Sequence, residues 1–145
     1  MRTPFQKYLL LPLLIASCAA PSTPVAPVDF TGKWTGASIE PGMYMYSVTL
    51  DLKQTQGNVT GTIAVNNGGV NSPGGSGTIK GTGTGDQVSL NAVFDTVTYG
   101  MAANCSAVLT GFNEARNDTL QLNVKFGSNC GEWAQRTWPA VFLVR

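Results

Sequence analysis

The chain is predicted to be all-β, an antiparallel up-and-down barrel of about eight strands. Three observations predict this. Several short runs alternate apolar and polar residues with period two, the signature of strands with one buried face. Clusters of Gly, Asn, Asp and Pro separate those runs at hairpin spacing, and no segment is long and periodic enough for a helix. The composition agrees: among 145 residues there are 17 glycines and only 12% charged side chains, a bias towards strands and turns over helices. A closed barrel hides both edges that an open sheet of this length would expose. A two-sheet β-sandwich is the competing architecture.

Taken in order, residues 30–36 (Phe-Thr-Gly-Lys-Trp-Thr-Gly) read as the first strand, ended by turn residues around Glu40-Pro41-Gly42. Tyr44, Tyr46, Val48, Leu50 and Leu52 then alternate with Met45, Ser47, Thr49, Asp51 and Lys53, the clearest period-two pattern in the chain. Gln56-Gly57-Asn58 turns this strand into a hairpin with residues 59–65. Asn66 to Gly75 carries Asn67-Gly68-Gly69 and Pro73-Gly74-Gly75 and is the longest predicted loop.

Residues 77–83 can extend only as a sharply bent strand, because Gly77, Gly81 and Gly83 share a face with Ile79. A Gly85-Asp86 turn leads into residues 88–94, and Asp95 to Ala103 is a second long connection or irregular strand. Residues 105–112 and 120–126 flank a turn over 113–118 and form another hairpin. Glu132 to Arg145 supplies the last strand, with Val141, Leu143 and Arg145 on one side and Phe142 and Val144 on the other. Pro139 near its beginning fits only a strand start or edge.

The first 17 residues are set apart. Arg2 and Lys7 make a positive start, and residues 8–15 form an apolar run too short for the roughly 20 residues of a spanning helix. Ile15-Ala16-Ser17-Cys18 follows and resembles the lipobox of bacterial lipoproteins. That resemblance implies a signal peptide over 1–17, a diacylglycerol-bearing Cys18 and a location in the cell envelope. Residues 18–28 carry three uncharged prolines, Pro21, Pro24 and Pro27, and read as an extended tether to a β-barrel domain over 29–145. Ala19 after the cysteine implies the outer membrane in a Gram-negative host, and otherwise the exterior of the cell membrane.

With Cys18 given to lipid, Cys105 and Cys130 remain, an even count in an oxidising compartment, and should form a disulfide. Closing that loop stabilises the fold by roughly 3 kcal/mol in the chain-entropy treatment. The open end of the hairpin over 105–126 lies near both cysteines, so the geometry is plausible.

Gly32-Lys33-Trp34 at the head of the first strand resembles the Gly-x-Trp signature of the lipocalins and related calycin barrels. The resemblance implies that Gly32 and Trp34 close one end of the barrel against a basic side chain from the far end of the sequence, Arg145 or Arg136. Arg145 is the better placed, since Leu143 shares its face. The Thr-Asp-Tyr motif of that family and the helix after its last strand are absent here. Thr-Gly pairs at 31–32, 60–61, 82–83 and 110–111 are also similar to those of avidin-like barrels, without a recognisable counterpart of the biotin site.

The chain contains no His, which removes the usual base of a nucleophilic triad and the commonest metal ligand. The carboxylates fall at turns or on faces read as solvated, so catalytic residues, metal and cofactor are all expected to be none. Losing Arg2 and Lys7 with the leader takes the basic count from 9 to 7 against 8 acidic residues, a net charge of about −1. That surface has no electrostatic footprint for nucleic acid. Two binding functions remain. In one, the barrel holds a small apolar or amphipathic ligand between Tyr44, Tyr46, Trp133 and Trp138. In the other it is a solid platform whose loops, 66–75 and 95–103, meet another envelope protein.

Overall fold

The computed structural model describes residues 27–40, 44–67, 75–96, 100–114, 118–134 and 136–145. The expected leader, the lipobox-like stretch with Cys18, most of the expected tether and the centres of both long loops lie outside the described residues. Eight strands form: β1 Gly32–Glu40, β2 Tyr44–Thr55, β3 Asn58–Asn67, β4 Gly75–Thr84, β5 Gln87–Thr96, β6 Cys105–Glu114, β7 Thr119–Phe126 and β8 Thr137–Val144. They close in sequence order into one antiparallel barrel, which is the expected up-and-down meander and not the sandwich.

Alternation drives the closure. Tyr46, Val48, Leu50 and Leu52 of β2 are buried while Met45, Asp51 and Lys53 face solvent. At Gln56 and Gly57 both φ angles are positive, 50° and 81°, the backbone of a type I′ hairpin turn, whose twist matches the strands it joins.

The inward glycines set the wall's shape. Gly61 lies in register between Leu52 and Ile79, Gly77 between Ile63 and Phe94, and Gly111 between Val88 and Leu122. Small residues thus face large ones around the interior, as a narrow barrel requires. A Cβ at Gly61, Gly77 or Gly111 would run into the carbonyl oxygen of Asp51, Val93 or Gln121 respectively, so neighbouring backbones approach there more closely than any side chain allows.

The seam is uneven. β1 pairs with β2 from Gly32 to Glu40, but with β8 only through Thr35–Val144, Gly36–Leu143 and Ala37–Phe142. Three details differ from the sequence reading. The first strand starts at Gly32 and continues to Glu40. The last begins at Thr137 instead of Glu132, because Trp133, Ala134 and Arg136 donate backbone hydrogen bonds to Cys130, Gly131 and Trp133 and coil that stretch into turns. Pro139 sits inside β8, where the register slips between Leu122 and Val124. Ala140 takes a φ of 57° there and donates its N–H to Asn123 Oδ1 at 3.2 Å, so a bulge accommodates the proline.

Candidate functional site

Among the described residues, those singled out from the sequence fall at the two barrel ends. At the end where the N-terminal segment enters, Val28 donates to the Gly85 carbonyl (3.0 Å) and Phe30 to Gln54 Oε1 (2.9 Å). These bonds lay residues 28–31 across the opening. Phe30 and Trp34 are fully buried beneath, and the Trp34 indole N–H donates to the Phe30 carbonyl at 2.9 Å, so the ring is fixed with its one polar atom satisfied.

Arg145 covers Trp34 from outside, its guanidinium carbon 4.8 Å from the ring centroid. Nη1 donates to the Asp29 and Thr31 carbonyls at 3.2 and 3.1 Å, and Nη2 to Asp118 Oδ1 at 2.8 Å. A planar fork serves stacking and these acceptors at once, which an ammonium cannot. Gly32 makes room: its φ is 136°, and a Cβ there would lie 2.9 Å from Arg145 Cδ. Arg136 stands at the opposite end, 5.7 Å from the Trp133 centroid. Asp29 is held below its ordinary pKa, chiefly by hydrogen bonds from the Thr31 side chain and backbone N–H, with a smaller contribution from Arg145.

At the far end, Cys105 and Cys130 form the disulfide, with Cα atoms 4.4 Å apart. Around it Ala102 donates to the Cys130 carbonyl and Glu132 to that of Gly100, tying the β5–β6 and β7–β8 connections into one cap. Trp133 drops from this cap into the barrel. It meets Tyr46, Phe126 and Trp138 with centroids 5.0, 5.1 and 5.3 Å away. Tyr46 stacks on Trp138 at 5.1 Å, and Phe126 meets Trp138 edge-on at 4.8 Å. All four residues are at most 5% exposed.

Three of the four aromatic candidates, Tyr46, Trp133 and Trp138, therefore converge. Tyr44 pairs by its backbone with Glu40 at the end of β2, and its side chain lies outside what the structure describes. Phe126 was missed by sequence reasoning; its place at the end of an alternating strand just before the cap was the available signal. Among the described residues, one buried side-chain polar atom is stranded: the Trp138 indole nitrogen has no hydrogen-bond partner. A buried donor left so costs about 1–3 kcal/mol.

Among the described residues, no three His, Cys, Asp or Glu side chains gather as a metal site, and no helix is long and apolar enough to cross a membrane. Comparison with protein-family models, curated proteins and solved structures returns no match.

Proposed function

We propose that the protein is a lipid-anchored envelope lipoprotein whose lipocalin-like barrel is a non-catalytic, solid platform that binds another envelope protein through its loops. One observation carries this reading: the rings that would line a ligand chamber are packed on one another at centroid spacings of 4.8 to 5.3 Å, leaving them as mutual packing partners. Phe30 and Trp34 fill the other end. The described ends of the 66–75 and 95–103 connections, Asn67, Gly75, Thr96 and Cys105, lie at the barrel end opposite the one where Val28 is bonded. In a Gram-negative host the membrane that holds Cys18 is the outer one; otherwise it is the cell membrane, on its exterior face.

A second reading, a small apolar or amphipathic ligand held among Tyr46, Trp133 and Trp138, is favoured by the unpartnered Trp138 indole N–H, a donor that a ligand carbonyl or ether oxygen would satisfy. Native mass spectrometry of the protein isolated from its own host separates the two. The platform reading expects a stoichiometric protein companion on a barrel free of small molecules. A small molecule retained by the delipidated barrel overturns it in favour of the second.

A further inference from the structure

Two exposed phenylalanines stand on the outer wall near the tether end. Phe112 of β6 and Phe142 of β8 are both in register with Gln121 of β7, one on each side, and are 40% and 52% exposed. Val144, 54% exposed, lies beside them opposite Thr119 and Thr35. The outward residues in register with these three, Gln87, Gln121, Thr119, Thr35 and Ala37, are uncharged, and exposed Glu114 stands at the edge of the strip, two residues beyond Phe112 and in register with Thr119. Scattered apolar residues on a sheet exterior are ordinary, and Met45, Val93 and Val108 are of that kind. A contiguous stripe holding two aromatics is different.

Its position identifies the occupant. Phe112 pairs with Gln87, which directly follows the Gly85-Asp86 turn that receives the Val28 N–H. Val28, the last residue of the tether, is thus bonded next to the Phe112 side of the stripe. The stretch from Cys18 to Pro27 spans about 30 Å when extended at roughly 3.1 Å per residue, so a lipid on Cys18 keeps this part of the wall within reach of the bilayer. We propose that Phe112, Phe142 and Val144 form a membrane-docking face, seating the barrel against the interfacial region of the membrane that holds its anchor. Aromatic and aliphatic side chains whose in-register neighbours are uncharged suit the boundary between headgroups and acyl chains. The inference rests on the lipid anchor at Cys18.

The test uses the full lipidated chain in vesicles of phosphatidylethanolamine and phosphatidylglycerol. A fluorophore is attached at Gln121→Cys, between the two phenylalanines, or at Thr78→Cys on β4 across the barrel. Brominated lipid is expected to quench the label at 121 several-fold more than that at 78, and the double substitution Phe112→Ser with Phe142→Ser should bring the ratio near one. Equal quenching at 121 and 78 in vesicle-bound protein removes the docking face and leaves the anchor standing. Shielding of 121 from aqueous iodide without lipid quenching also overturns it, by marking a protein contact such as a second copy. A chain that fails to float with vesicles removes anchor and face together.

Discussion

At the tether end, Trp34 is fixed by a hydrogen bond to Phe30, a guanidinium laid over its face and a strap of residues 28–31. At the far end, Trp133 and Trp138 are held by other rings, and the cap that delivers Trp133 is fastened by a disulfide. Both ends are plugged by indoles, yet one satisfies every polar group on its ring and the other strands the Trp138 N–H. The first is closed by polar and noncovalent contacts, the second by apolar packing and a covalent bond. The difference teaches that ends built from similar residues fail under different conditions.

Trp34→Ala should cost most, about 3–5 kcal/mol, since it removes a fully buried large ring; urea unfolding measures it. Reduction of the disulfide, or Cys105→Ser with Cys130→Ser, should cost about 2–5 kcal/mol. Hydrogen exchange should then rise around 100–106 and 127–134 and stay slow around Trp34. An equal rise at both ends would break the comparison. Gly111→Ala, in the tether-side half of the wall, should cost about 1–3 kcal/mol by forcing strands apart, and the tether end should loosen more than the disulfide end.

Arg145→Lys should cost about 1 kcal/mol or less, because the side chain is 37% exposed and solvent weakens its ion pair with Asp118. Its signature is a change in Trp34 fluorescence with Trp133 and Trp138 unaffected. The smallest effect concerns acid. Asp29 has a lowered folded pKa, so the stability it contributes is present above the ordinary carboxylate pKa. It is lost as pH falls below about 4 through the folded value. Asp29→Asn should flatten that part of the stability profile, and an unchanged acid profile would show that Thr31 does not hold the carboxylate in solution.

The sequence made the wall legible because alternation in β2 and the shared face of Gly77, Ile79, Gly81 and Gly83 are local properties of half-buried strands. Trp34 and Arg145 could be paired before the structure because a resemblance linked the two ends of the chain. The cap could not be read. Residues 132–136 contain neither Gly nor Pro, and successive turns there depend on Cys130 being pinned and on docking against Gly100. The meeting of Tyr46, Phe126, Trp133 and Trp138 is likewise set by barrel closure, which brings residues distant in sequence together at one level.

The short β1–β8 junction also bears on self-association. Were those three rungs to part, the cylinder would open into a ribbon with two raw borders, each able to recruit a neighbour and propagate a stack. β8 is poorly suited to that: Pro139 offers no amide hydrogen, and the left-handed Ala140 bends the strand out of line. The kink that first looks like a flaw in the last strand leaves an opened chain with a border on which copies pile up badly.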